Sequence, residues 1–243
     1  MTSSDLAVVI PAYNAEDTLT RVVDRIFQVD VSTLRRIWIV DDGSLDATSA
    51  VAAKLGASDA RISLLSLRKN RGYGAAMKRG LLACREEGAS MVACVHADGQ
   101  YAPEVLPDLV ASLQERRLDL IQGSRIASGT ALSGGMPLYK YLGNRGLTGL
   151  ENFVFGLSMT DYHSGYLVYG AEALASLPFE SFSDSFDFDL EVLACSHARG
   201  LRLGESPIPT HYGDERSHLR SIPYGLRALR VMSKYLLRRY NED

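Results

Sequence analysis

The sequence predicts an α/β fold, one domain with a mostly parallel central sheet flanked by helices, and three observations carry that prediction. Short apolar runs alternate with segments of helical periodicity four times between Leu6 and Gly123, the pattern of a parallel sheet with helices on both faces. The first run, Leu6–Ile10, is apolar throughout, as suits a strand covered on both sides. Polar clusters at Asn14, Asp41-Asp42, Asn70–Gly74 and His96–Gln100 all follow strands, and such sheets bind ligands beyond the carboxyl ends of their strands.

Asn14 precedes an amphipathic helix over Glu16–Val29, in which Leu19, Val22, Val23 and Ile26 keep helical spacing; Asn14 or Asp17 stands where a cap belongs. Arg36–Val40 reads as the second strand and Ala47–Leu55 as the second helix, with Gly56 placed to end it. Strand Ile62–Leu67, helix Tyr73–Glu87, strand Ser90–Val95, helix Pro103–Arg116 and strand Leu118–Gly123 complete the alternation. Beyond Arg125 the pattern changes. A Gly/Ser-containing loop over Ser128–Pro137, a candidate lid, leads to helix Leu138–Leu157 and a strand at Gly165–Tyr169. Helix Phe188–Arg199, strand Arg202–Pro207 and a basic amphipathic helix Ile222–Tyr240 follow. No linker or repeat divides the chain, so residues 1–243 are expected to form one domain.

Hydrophobic residues make up 46% and charged residues 23% of the chain, a globular composition. A net charge of -3 argues against nucleic acid as a partner and confines any anion site to a local patch. Cys84, Cys94 and Cys195 are widely spaced and read as reduced, buried thiols. Met1–Asp5 is polar and runs straight into the first strand, so no signal peptide is expected. No apolar run approaches the ~20 residues that span a bilayer. The expected location is cytoplasmic, with any membrane contact peripheral.

His96-Ala97-Asp98-Gly99-Gln100 is the strongest local signal. A carboxylate just past an apolar strand suits a hard divalent cation, which would neutralise charge on a departing diphosphate; a turn or helix cap is the plainer use of Asp-Gly. The other clusters on the same edge favour the ligand. Asp41-Asp42-Gly43-Ser44 offers acceptors for a base N–H or ribose hydroxyls, while Ser44 or Asp46 could cap the next helix. Asn70–Ala76 places glycines before a helix start, which permits close approach of an anion, though the glycine fingerprint of dinucleotide sites is missing after the first strand.

Together, Val9-Ile-Pro-Ala-Tyr-Asn14, Val40-Asp-Asp-Gly-Ser44, Asn70-x-Gly-x-Gly-Ala75, Ala97-Asp-Gly-Gln100 and Gly123-Ser-Arg125 resemble family 2 glycosyltransferases in order and spacing. The resemblance is strongest to the dolichol-phosphate mannosyltransferase and polyprenyl-phosphate glycosyltransferase branch. It covers Leu6 to Arg125, and more loosely Asp161-x-x-Ser-Gly-Tyr166 and Phe186–Glu191. It implies a GT-A fold, a nucleoside-diphosphate-sugar donor, Mg²⁺ or Mn²⁺, and inversion at the anomeric carbon. Residues 6–125 would then form the nucleotide-sugar part and 126–243 the acceptor side. Carried over by position, Pro11, Ala12, Tyr13, Asn14, Asp41, Asp42 and Gly74 would line the nucleotide, with His96 and Ala97 beside it. Asp98 would bind the metal, helped by Gln100, and Arg125 would meet the donor phosphates.

Three departures accompany the resemblance. His96 stands where the family has the first carboxylate of Asp-x-Asp, so imidazole or fewer protein ligands would hold the ion. The basic residue of the C-terminal loop is shifted, with Arg216 in Thr210–Ser217 as its replacement. The Glu-Asp pair of processive members is absent. Asp187 and Asp189 are the candidate bases for an acceptor hydroxyl, Asp189 first because it opens the apolar-periodic helix; helix capping is their structural alternative, and a phosphate acceptor needs no base. His211 reads either as a third metal ligand or as a solvated loop residue, and His163 either as a donor-sugar or acceptor contact or as packing. The acceptor would be a polyprenyl phosphate or a small-molecule or glycan hydroxyl. The C-terminal basic helix suits either a lipid interface or docking on the core with its basic face in water, the latter favoured. Two other activities compete: a nucleotidyltransferase, against which Pro11–Asn14 argues, and a non-catalytic nucleotide-sugar-binding protein, which His96 makes conceivable.

Overall fold

The computed structural model describes residues 5–209 and 221–241. Leu6–Ala12 forms β1, Leu34–Asp41 β2, Ile62–Ser66 β3, Met91–Cys94 β4, Leu120–Ser124 β5, Leu167–Gly170 β6 and Leu203–Pro207 β7. The helices are α1 (Leu19–Gln28), α2 (Thr48–Ser58), α3 (Tyr73–Glu86), α4 (Leu106–Glu115), α5 (Leu138–Phe155), α6 (Ala171–Ser176), α7 (Phe188–Ala198) and α8 (Ser221–Leu236). All seven strands join one sheet in the order β3-β2-β1-β4-β6-β5-β7. Four neighbours, β3, β2, β1 and β4, run parallel. From β1 the chain winds outward to β2 and β3 and then crosses back to β4, so the winding reverses between β1 and β4, where α/β sheets open a ligand crevice.

The expected succession fails at one point. β5 does not pair with β4; β6 lies between them, antiparallel to both, and β7 joins β5 in parallel. One sheet therefore runs through both 6–125 and 126–243. Alternating side chains of β1 feed two cores. Ala7 and Val9 pack with α3, α6, α7 and α8, while Leu6, Val8 and Ile10 pack with α1 and α4.

Helix limits depart from the sequence reading for local reasons. α1 begins at Leu19, after Thr18, and neither Asn14 nor Asp17 caps it; Asn14 adopts a φ of 50° and spends its side-chain oxygen on Leu45 N–H at 2.9 Å. α2 runs through Gly56 to Ser58, because Gly56 lets the helix approach the Ile62 carbonyl rather than ending it. Helix α6 carried no periodicity long enough to mark it, and a 3₁₀ turn, Pro103–Val105, precedes α4.

The C-terminal helix is docked, as expected, through Ala228, Val231 and Met232. Its polar anchor is Glu191 of α7, which is 1% exposed. Glu191 accepts hydrogen bonds from Ser183 N–H at 2.5 Å, Tyr240 Oη at 2.9 Å and Lys234 Nζ. Removing one partner of a buried ion pair leaves the other charge stranded. Glu191→Ala should cost about 2–4 kcal/mol of unfolding free energy in urea melts, with Lys234's access to water keeping it from the upper end; a loss below about 0.5 kcal/mol would remove Glu191 as the anchor.

Candidate active site

The carboxyl ends of β1 and β2 are stitched together before any ligand is considered. Asn14 N–H donates to Ser44 Oγ at 2.9 Å, Ala15 N–H to Thr48 Oγ1 at 2.7 Å, and Ala47 N–H to Glu16 Oε2 at 2.7 Å. Asp46 accepts from Thr48 N–H and Oγ1, but the N-cap of α2 is Ala47, which makes no side-chain bond, so neither Ser44 nor Asp46 takes the cap position foreseen for it. Pro11, Ala12 and Tyr13 form the end of this shelf; Tyr13 is exposed and Ala12 buried.

Asp41 and Asp42 are both buried and each holds backbone. Asp41 Oδ1 accepts Ser44 N–H at 3.0 Å. The Asp42 carboxylate reaches across to the β3–α3 loop, accepting Arg71 N–H and Gly72 N–H, each at 2.8 Å. Burial raises the Asp42 pKa, against the pull of those two donors. Gly74 is turned to protein: a Cβ there would meet Phe188 Cβ and the Asp184 carbonyl carbon at 2.9 Å. Gly72 and Gly74, on either side of Tyr73, thus admit residues 183–188 against the helix start, and Gly72 at φ 109° makes the bend.

Tyr73, the first residue of α3, joins two predicted site residues. Its hydroxyl donates to Asp189 Oδ1 at 3.2 Å and lies 3.3 Å from His96 Nε2. His96 packs edge-on against Tyr101, with centroids 4.8 Å apart, and burial lowers its pKa, so the ring is neutral at pH 7. Tyr101 Oη accepts Gly165 N–H at 3.1 Å, and the Arg125 guanidinium lies over the Tyr101 ring at 5.6 Å while donating to the His163 carbonyl at 3.1 Å. Arg125, Tyr101, His96, Tyr73 and Asp189 form one connected run across the mouth of β4. Sequence reasoning missed Tyr73 and Tyr101, although each adjoins a motif it had marked; aromatic neighbours of polar clusters were the available signal.

The two candidate bases separate. Asp187 precedes α7 without a side-chain capping bond, accepts Ser183 Oγ at 2.9 Å and faces Arg227 at 3.6 Å. Asp189 is 7% exposed, and burial pushes its pKa up to about 7, against the lowering effect of Tyr73. His163 is held by Tyr224 Oη at 2.8 Å and by the buried Glu151 at 3.2 Å, which outweighs the lowering effect of burial and raises its pKa. It is a bracket between α5 and α8.

Asp98 turns on itself, Oδ1 accepting Gln100 N–H at 3.0 Å. Among the described residues no three His, Cys, Asp or Glu side chains converge as a cation cage, and His96 Nε2 is directed to Tyr73. His211 and Arg216 lie outside the described residues. One carboxylate on a crevice loop is a donor set that fits Mg²⁺ or Mn²⁺, hard ions commonly held by one or two carboxylates plus substrate phosphates and water.

The family model "Glycosyl transferase family 2" matches residues 7–177. The chain belongs to glycosyl transferase family 2. Among its relatives, the UDP-N-acetylglucosamine–dolichyl-phosphate N-acetylglucosaminyltransferase of Methanococcus voltae is 29% identical over 217 residues, spanning 84% of this chain and 85% of that protein. Polyprenol monophosphomannose synthase of Mycolicibacterium smegmatis is 28% identical over 203 residues, 83% of this chain and 75% of that protein. The fold matches glucosyl-3-phosphoglycerate synthase from Mycobacterium tuberculosis in complex with UDP at a TM-score of 0.71 and 22% identity, covering 96% of this chain and 79% of that one. A second structure of that enzyme, with Mn²⁺, UDP and glucosyl-3-phosphoglycerate, gives 0.66 at 21% identity, again over 96% of this chain and 79% of that one. This family 2 glycosyltransferase therefore has the GT-A fold, and its relatives lie in the polyprenyl-phosphate branch.

Asp189 makes stability pH-dependent. An unfolded aspartate ionises near 3.8, whereas the buried group keeps its proton to about 7. Between these values the folded chain binds the extra proton, so stability falls as pH rises through the window and levels off above it. Urea melts at about pH 5 and about pH 8 should show the wild type losing about 2–3 kcal/mol more than Asp189→Asn. Equal losses would mean an ordinary carboxylate.

Proposed function

We propose that this glycosyltransferase moves a sugar, with inversion, from a nucleoside-diphosphate sugar to a polyprenyl phosphate. The observation that carries this reading is the position of Asp98 and the Arg125–Asp189 run at the β1/β4 switch point, where α/β sheets take up ligands. The nucleoside rests on Pro11–Tyr13 and uses lone pairs of Asp41 and Asp42 left over from their backbone bonds; Asn14 holds the shelf in place. The diphosphate lies toward Asp98 and Arg125. Asp98, with Gln100 on the same turn, would hold Mg²⁺ or Mn²⁺, which when bound supplies positive charge against the leaving diphosphate. A divalent ion and a UDP-type donor are consistent with ligands in the Mycobacterium tuberculosis structures. Residues 6–125 serve the donor and 126–243 the acceptor.

Transfer forms one bond and breaks one. An acceptor oxygen attacks the anomeric carbon opposite the diphosphate, and the electron pair of the broken C–O bond leaves with the nucleoside diphosphate. Arg125, fixed by Tyr101 and the His163 carbonyl, stabilises the charge that grows there. A lipid phosphate attacks as an anion with no proton to remove. The names of the relatives support that acceptor.

A hydroxyl acceptor is the second reading, favoured by one observation: Asp189 titrates at about 7, where a general base works best. With a hydroxyl acceptor, Asp189→Asn should lower kcat by about 10²–10⁴-fold and remove the acid limb of the pH–rate profile. With polyprenyl phosphate the loss should stay within about tenfold, and a larger loss on that substrate would overturn the base-free step.

Asp98→Ala tests the donor side. Calorimetric titration should show its affinity for UDP or GDP in Mn²⁺ reduced to the level seen in chelator, with the fold intact by circular dichroism. Retained Mn²⁺-dependent affinity would end the assignment of Asp98 to the metal.

A further inference from the structure

The outer side of α5 is apolar in a way that the fold does not explain. Leu138, Tyr139, Leu142, Leu150 and Phe153 are all exposed, Phe153 by 86% and Tyr139 by 69%. At about 100° per residue they share one arc of about 120°. Gly143, Gly146 and Gly149 fill the same side, and a Cβ at any of them would meet nothing within 4 Å. Glycine weakens a helix interior, and no packing among the described residues calls for three. They keep the arc shallow, so the helix can lie flush on a flat surface.

α8 continues this surface. Leu226, Leu229 and Leu236, with Leu237 just beyond the helix, are exposed by 47–66%. The two helices touch: Phe155 and Tyr235 pack with centroids 4.9 Å apart, and Tyr235 Oη donates to the Phe155 carbonyl at 3.3 Å. Charge is sorted as well. In a chain of net charge -3, residues 221–241 hold five bases and no acid, and Arg230, Arg238 and Arg239 are exposed. The one acid of α5, Glu151, is buried, while Arg145 is exposed.

We infer that the α5–α8 face docks on an anionic membrane surface, its leucines and Phe153 entering the headgroup boundary and its arginines meeting lipid phosphates. Apolar side chains bordered by bases, with no exposed acid among the described residues of the two helices, are complementary to such a surface. Among the described residues no helix is long and apolar enough to cross a bilayer, so α5 and α8 lie along it. The same helices bracket the acceptor side of the site, α8 through Tyr224 on His163 and Arg227 on Asp187. Docking would therefore turn that side toward the lipid. The inference rests on surface chemistry and holds whatever the acceptor.

Flotation of the full chain with vesicles tests it, using phosphatidylcholine alone and phosphatidylcholine mixed with phosphatidylglycerol, with neither donor nor polyprenyl phosphate present. The wild type should float with the mixed vesicles only and be released by high salt. The double variant Leu142→Asp, Phe153→Asp should bind at least about tenfold more weakly, and Arg230→Glu about fivefold or more. Both should keep the wild-type thermal shift with UDP and Mn²⁺, or, if that shift is absent in the wild type, its circular dichroism and melting temperature. Failure of the transfer reading leaves these results unchanged. A wild type that stays in the aqueous phase, or an aspartate variant that floats equally well, overturns the inference. So does a dimer in sedimentation that Phe153→Asp dissociates while vesicles bind nothing, since the face would then belong to a second copy.

Discussion

The site depends on one buried carboxylate. Asp42 leaves the end of β2 and holds Arg71 N–H and Gly72 N–H, fixing where α3 begins. The first residue of that helix, Tyr73, is consequently placed between His96 and Asp189. Gly72 and Gly74 leave no side chain in the way of residues 183–188, which lets α7 bring Asp189 to the Tyr73 hydroxyl. A buried carboxylate is costly unless hydrogen-bonded, and two backbone donors meet that requirement. An interaction of β2 with a loop thus sets where Tyr73 stands between His96 and Asp189.

Around this brace the electrostatics are graded. His96 is neutral because burial opposes its charge, Asp189 is balanced near neutrality, and Arg125 supplies permanent positive charge beside Tyr101. The carboxylates nearest the backbone, Asp41 and Asp42, serve local structure first.

Much of this was legible in the sequence. Continuous apolar strands and their alternation with helices gave the parallel half of the sheet, and the motif edge fell at the carboxyl ends where it belonged. Antiparallel β6 was not legible as a neighbour of β4, because Leu167–Gly170 is short and strand order is decided by pairing far along the chain. The glycines of Asn70–Gly74 looked like a ligand cradle and turned out to admit residues 183–188, a contact that no local spacing encodes. Asp189 was marked because it opens a periodic helix; its environment needed Tyr73, distant in the chain, to become visible.

The placement of β6 has a consequence for how this scaffold can diversify. The chain leaves the sheet at Ser124 and re-enters beside the same strand at Leu167, with Gly123 N–H bonded to the Tyr166 carbonyl at 2.8 Å. Everything between is an excursion whose two ends are clamped side by side. Lengthening or exchanging such an insert adds only a slowly growing closure entropy and leaves the β1–β4 framework untouched. This detachable stretch can therefore be exchanged while the parallel strands and the Asp42 brace on the β3–α3 loop stay in place.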